Sequence, residues 1–120
     1  MVDPARIICD SAALSEGGKG VRFSVMRQGK PVPAFAIRFN GCAHAYLNRC
    51  AHIQVELDWV EGEFFESSGL YLICTTHGAT YEPDTGHCIT GPCKGKRLAA
   101  LEVAEHDGRI YLTHSEQNHG

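Results

Sequence analysis

A chain of 120 residues, 43% of them hydrophobic, with a formal charge of −3, holds one domain with a modest core and leaves no room for a second, catalytic one. Its mild acidity lacks the dense positive field that phosphate contacts demand, which excludes nucleic acid as a partner. No run approaches the ~18 apolar residues of a membrane span, and the start "MVDPARIICDSA" lacks the pattern of a signal peptide, so the expectation is a cytoplasmic protein with no membrane partner.

Turn residues recur about every dozen positions, and the segments between them are short and rich in β-branched and aromatic residues, which predicts an all-β fold of small antiparallel sheets. "LSEGGKG" (residues 14–20) reads as a flexible loop, since it lacks the spacing of a phosphate-binding motif and leads into no helix. "VRFSVMRQG" then alternates Val21, Phe23 and Val25 with Arg22, Ser24 and Met26, a strand pattern, and "QGKPVP" (residues 28–33) reads as a second loop. Asn40-Gly41 suits the positive φ angles of a tight hairpin and predicts a strand on either side. Asp107-Gly108 predicts a closing hairpin between strands at residues 101–103 and 110–112. No helix longer than a turn or two is expected. The polar tail, residues 115–120, is expected to fray, with His114 and His119 in solvent.

Cys, His, Gly and Pro gather between the two hairpins, in residues 47–97. Two short arms stand out there, Cys50-x-His52 and Cys74-x-x-His77, with 21 residues between His52 and Cys74. Each arm offers one soft thiolate and one borderline imidazole, suited to zinc or to an iron-sulfur centre. Structural zinc sites usually pair like with like in each arm, whereas both arms here are mixed. Mixed arms suit a 2Fe-2S cluster in which two cysteines hold one iron and two histidines the other, each loop giving one ligand to each metal. A Cys2His2 zinc-binding structural module stands as the alternative.

Together, "CAH", "CTTHGATYEPDTGHCITGP" and "KRLAALEVAEHDGRIYL" resemble a Rieske-type 2Fe-2S protein over residues 47–112. The resemblance implies a β base made from both chain ends with a cluster-binding portion of about residues 47–95 inserted in it, forming a single domain over residues 1–114. It implies Cys50 and Cys74 as ligands of the buried iron and His52 and His77 as ligands of the outer one. Gly78 would allow close passage of the backbone, and "GPC" (residues 91–93) falls where the family has a proline loop covering the cluster. Its function would be one-electron transfer, with a flavoprotein reductase as donor and a terminal oxygenase or similar acceptor. A small subunit of a larger, nitrite-reductase-type enzyme is the other member of the family to weigh. The chain has no room for the second, two-His and one-carboxylate iron domain of an oxygenase, so it is not expected to be the enzyme itself.

High-potential respiratory relatives read CxCHGSxY in the second arm, where Ser and Tyr hydroxyls donate to sulfur, and staple the loops with a disulfide. Here the Ser position is Ala79, Tyr81 is kept, and Val55 and Thr76 stand where the stapling cysteines would be. The resemblance is therefore to the ferredoxin-like branch, with a potential toward the lower part of a range of roughly −150 to +300 mV. Oxidation should ease deprotonation of the ligand histidines, so the potential is expected to fall as pH rises past their oxidised-state pKa. The stretch between the arms is longer than in the commonest small Rieske ferredoxins, and surface loops accept such insertions at little entropic cost.

The remaining cysteines show no ligand pattern. Cys9 and Cys42 are expected in the core; a disulfide framework, or a Cys88 to Cys93 bridge near the lid, is the alternative to reduced thiols. His44, His87 and His106 read as surface or hydrogen-bonded side chains. Glu56, Asp58, Glu61, Glu63 and Glu66 read as a solvated acidic run that, with the basic Lys94, Lys96 and Arg97, flanks the expected cluster face. Trp59, Phe64 and Phe65 are expected to pack the insert onto the domain rather than face a partner.

Overall fold

Three small antiparallel sheets build the molecule in the computed structural model, which describes residues 6–50, 55–58, 60–74, 78–91 and 95–113. The chain runs β1 (Arg6–Asp10), a single 3-10 turn (Ser11–Ala13), β2 (Val21–Arg27), β3 (Lys30–Phe39), β4 (Cys42–Leu47), β5 (Leu72–Cys74), β6 (Ala79–Tyr81), β7 (Cys88–Thr90), β8 (Ala100–Leu101), β9 (Val103–His106) and β10 (Arg109–Leu112). The sheet orders are β1-β10-β9, β2-β3-β4-β8 and β5-β6-β7, so the first and last strands pair and the two ends of the chain share one sheet. No α-helix occurs among the described residues, as the sequence leads one to expect.

The hairpin signals hold. Asn40 and Asp107 take φ of 54° and 53°, and the glycines after them 77° and 75°, which the turn between β3 and β4 and that between β9 and β10 require. The last hairpin is shifted relative to the expected strands: it joins Val103–His106 to Arg109–Leu112, and Leu101 belongs instead to β8, opposite Ala45 on β4.

The expected loop at residues 28–33 is corrected. The turn is confined to Gln28 and Gly29, and residues 30–33 continue β3, with Pro31 opposite Met26 and Pro33 opposite Ser24. Pro is tolerated because a residue in an extended strand aims its N–H position and its carbonyl to the same side. The Pro33 carbonyl faces away from β2 and accepts the Asn48 N–H at 2.8 Å, so the ladder to β2 loses no donor. Strand β1 has no counterpart in the sequence reading, because its partner β10 lies at the far end of the chain.

Strand β3 carries the core. Residues Ala34, Phe35, Ala36 and Ile37 are all fully buried, so the four-stranded sheet is covered on both faces. Period-two alternation divides them. Ala34 and Ala36, with Ala45 and Leu47 opposite, face Ile110, Leu112 and the terminal sheet. Phe35 and Ile37, with Tyr46, face a larger cluster containing Cys50, Leu57, Phe64, Cys74, Tyr81 and Leu98. Small residues thus let the two sheets approach, and aromatic ones fill the side on which residues 47–98 pack.

The long segment between the arms folds inward. Phe64 is fully buried, with its ring stacked on Phe35 at a centroid distance of 4.0 Å, and Phe65 stacks on Phe39 at 6.5 Å. The expected packing role of these two aromatics is therefore met, while Trp59 lies outside the described residues. Cys9 is half-buried against the second core, and burial raises its thiol pKa. Cys42 corrects its expected core position: it is exposed, the first residue of β4 next to the Asn40-Gly41 turn. The expected fraying tail and its histidines also lie outside the described residues.

A polar staple joins the four-stranded sheet to the terminal one. The Arg38 guanidinium donates to the Leu14 and Ser11 carbonyls and to both Glu105 carboxylate oxygens, at 2.8–3.2 Å counting its bond to the Gly41 carbonyl. Glu16 accepts the N–H groups of Asn40 and Gly41, so the loop at residues 14–20 is tied to the hairpin turn.

Arg38 lowers the Glu105 carboxyl pKa from its ordinary 4.5 to about 2. A depressed folded-state value gives stability that is present above the unfolded pKa and lost as pH falls through the folded one. Glu105→Gln should therefore unfold at lower urea than the parent at pH 7, and the two midpoints should converge between pH 5 and pH 2. Phe64→Ala should cost roughly 3–5 kcal/mol in the same urea titration at pH 7, because it empties a closed aromatic stack.

Candidate metal centre

Strand β4 delivers the first arm. After Leu47 the chain turns, with the Arg49 N–H bonded to the Leu47 carbonyl, and the Cys50 N–H donates to the Val55 carbonyl at 2.8 Å. Strand β5 delivers the second arm. The Cys74 carbonyl accepts the Gly78 N–H at 2.9 Å, and β6 returns at once with Ala79 opposite Cys74 and Tyr81 opposite Leu72. Gly78 has φ +75°, and no atom lies within 4 Å of where its Cβ would stand, so the requirement seen there is the backbone conformation of the turn.

Cys50 and Cys74 are 4% and 0% exposed and belong to one buried cluster with Tyr81. Both are thiols rather than disulfide sulfurs. The Tyr81 hydroxyl lies 3.2 Å from the Cys50 sulfur. A thiolate has no proton to give, so a metal-bound Cys50 would accept from Tyr81. Two buried sulfurs with a hydroxyl aimed at one of them form a donor set that fits a sulfur-ligated iron. His52 and His77, the other two expected ligands, lie outside the described residues, as do Thr75, Thr76, Lys94, and Pro92 and Cys93 of the expected lid. The described residues alone contain no group of three potential ligands.

Gly91, the first residue of the expected lid, makes a close approach. A Cβ there would come within 2.9 Å of the Ala79 Cα, at φ +100°, so only glycine lets this segment lie directly on the second arm. Cys88, buried on β7 opposite Tyr81, is disulfide-bonded, against the reduced-thiol expectation; Cys93 lies outside the described residues. The Asp84 turn is held by Tyr46, whose buried hydroxyl donates to the Pro83 carbonyl at 2.8 Å.

His87 and His106 are exposed, as expected, with His106 stacked on Tyr111; His44 is instead half-buried on β4 opposite Ile37, and burial lowers its pKa. The acidic run is not uniformly solvated. Asp58 is 5% exposed, and its carboxylate accepts from Asn48 Nδ2 and from the Gly62 N–H, both at 2.9 Å, with Arg22 Nε at 3.6 Å. Asn48, itself fully buried, went unread in the sequence. Its only signal is an amide side chain two residues before Cys50.

No helix among the described residues is long and apolar enough to cross a membrane. A search of the curated proteins finds no match. Among solved structures, the chain is similar to a ferredoxin of Sphingomonas yanoikuyae B1, with a TM-score of 0.70 and 20% identity over 92% of this chain and 99% of that one. It is similar also to the ferredoxin of carbazole 1,9a-dioxygenase from Nocardioides aromaticivorans IC177, with a TM-score of 0.71 and 21% identity over 92% and 98%. The terminal oxygenase of carbazole 1,9a-dioxygenase from Novosphingobium sp. KA1 matches with a TM-score of 0.67 and 27% identity, over 97% of this chain but 30% of that one. The family model of the Rieske [2Fe-2S] domain matches residues 6–110. A match that begins in β1 and ends in β10 takes in the base as well as both arms, and on it the chain belongs to the Rieske [2Fe-2S] domain family.

Proposed function

We propose that the chain is a one-electron carrier, with Cys50 and Cys74 holding one iron of a 2Fe-2S cluster and His52 and His77 the other. The observation that carries this reading is the convergence of the two cysteine-bearing arms in one buried cluster, with the Tyr81 hydroxyl on the Cys50 sulfur. When bound, the cluster supplies reversible one-electron chemistry. The chain's own residues bury the two sulfurs, exclude water from them and aim a hydroxyl at one. Four protein ligands leave no open position for a substrate, so the chain carries electrons and is not itself the catalyst.

The cluster-binding portion is about residues 47–95, within a single domain of residues 1–114. The donor in this reading is a flavoprotein reductase and the acceptor a terminal oxygenase or a similar enzyme. Its support is the fold shared over nearly their whole length with proteins named as ferredoxins, one of them a ferredoxin of a dioxygenase. That coverage favours a separate carrier over a small subunit of a larger reductase. Lys96 and Arg97, both exposed beyond the lid, would steer an acidic partner surface.

The purified protein should be reddish brown, bleach on reduction, and contain about two irons and two acid-labile sulfides per chain. Cys74→Ser should lose both; a colourless protein loaded with zinc would refute the reading. Tyr81→Phe should keep the cluster and lower its potential, because the hydroxyl's bond strengthens as the sulfur gains charge and so favours the reduced state. A difference of about 1 kcal/mol between the two states corresponds to a shift of about 40 mV, measurable by redox titration.

A further inference from the structure

The first arm is held by more than its own loop. The Cys50 N–H bonds the Val55 carbonyl, and one step outside that pair the Asn48 side chain supplies a second rung. Its Oδ1 accepts the Leu57 N–H at 2.9 Å, and its Nδ2 donates to Asp58 Oδ1 at 2.9 Å. The pairs 50 with 55 and 48 with 57 thus pinch the arm like the base of a hairpin, except that a side chain replaces the outer backbone group. The Asn48 backbone N–H, bonded to the Pro33 carbonyl, fixes the same residue to β3.

Every atom in this bridge is committed. Asn48 is 0% exposed and the Asp58 side chain fully buried, and Asp58 spends its second oxygen on the Gly62 N–H and on Arg22. Arg22 in turn bonds Glu56 at 2.7 Å. A buried amide whose partners are lost leaves those partners unsatisfied, so the bridge resists opening by more than its own bonds. The Cys50 sulfur meets Tyr81 from a separate strand, β6, at 3.2 Å. Neither local element sets that distance alone. The pinch sets one side of it and the β5-β6 ladder the other.

We propose that Asn48 is a positioning residue for electron transfer, holding Cys50 at hydrogen-bond distance from the Tyr81 hydroxyl and thereby setting part of the potential. This rests on the reading of Cys50 as a cluster ligand. Asn48→Ala is the variant of choice because it removes the bridge without changing the formal net charge. If the pinch acts through the Tyr81 contact, its loss matters only while that hydroxyl is present.

The experiment is a double-mutant cycle read by midpoint potential. Asn48→Ala should lower the potential in the parent and leave it unmoved in the Tyr81→Phe background. An equal shift in both backgrounds, or none in the parent, overturns the proposal. Asn48→Ser, with a smaller cavity, carries the same cycle if the alanine variant does not fold. Hydrogen exchange of the purified protein, followed by mass spectrometry, supplies a readout independent of the potential. The segment 48–57 should exchange about tenfold faster in the variant while residues 34–39 of β3 keep their protection. Equal acceleration of both segments would show a global loss of stability and sink the positioning role. Iron and sulfide content separates the two readings: a protein without iron defeats the cluster assignment, while the exchange comparison still tests the pinch.

Discussion

The burial of β3 on both faces is the constraint on which the rest depends. A strand flanked on one side by β2 and on the other by β4 and covered above and below has no freedom of register, because a one-residue slip would exchange its alanines for Phe35 and Ile37. The alanine face sets how closely the terminal sheet can dock. The aromatic face sets what the central segment must supply, and it does so with Phe64, Leu57, Leu98 and the cluster around Cys50 and Cys74. Since β4 pairs along β3 up to Leu47, and Asn48 bonds Pro33, the position of Cys50 is inherited from this register. The site is thus fixed from the base outward.

Much of this was legible in the sequence, and what was not has identifiable physical causes. Asn40-Gly41 and Asp107-Gly108 act locally, through φ angles that few residues adopt, so their turns could be read directly. The gathering of Cys50 and Cys74 in one buried cluster agrees with the spacing of the two arms, whose histidines lie outside the described residues. Pro31 and Pro33 misled because their cost depends on which side of the strand the missing donor faces, a property of the neighbour β4 rather than of the dipeptide. Strand β1 was invisible because its reason to be extended, β10, is supplied by the other end of the chain. Cys42 followed a general burial preference that its place at a hairpin mouth overrides.

Asp58 is the most instructive misreading. Counted with Glu56, Glu61, Glu63 and Glu66 it looked like one more solvated charge, yet it is buried and satisfied on both oxygens while its neighbours in the run are exposed or partly so. Charge runs are read by sign, and sign does not say which member turns inward. The difference is supplied by Asn48 and Arg22, which lie on β4's exit and on β2. The insert is therefore not an appendage. It is clamped by a polar bridge near Cys50 and by the Phe64 stack on Phe35, so its length adds a second wall to the core instead of a loose loop.

Position 79 joins packing to redox tuning. In the high-potential pattern that position carries a serine hydroxyl; here it carries Ala79, fully buried, with Gly91 laid against its backbone closely enough to forbid any side chain at 91. Gly91 pressed on this backbone leaves little volume for an added oxygen, and an oxygen without a partner in such a place would be costly. Alanine at 79 carries no hydroxyl, and the Tyr81 hydroxyl, from the same strand, is the donor seen at a cysteine sulfur among the described residues. A hydroxyl added at 79 must then displace Gly91 or find an acceptor close by. The close approach of Gly91 and the missing hydroxyl at 79 thus meet at one point of the second arm, in two residues twelve positions apart in sequence.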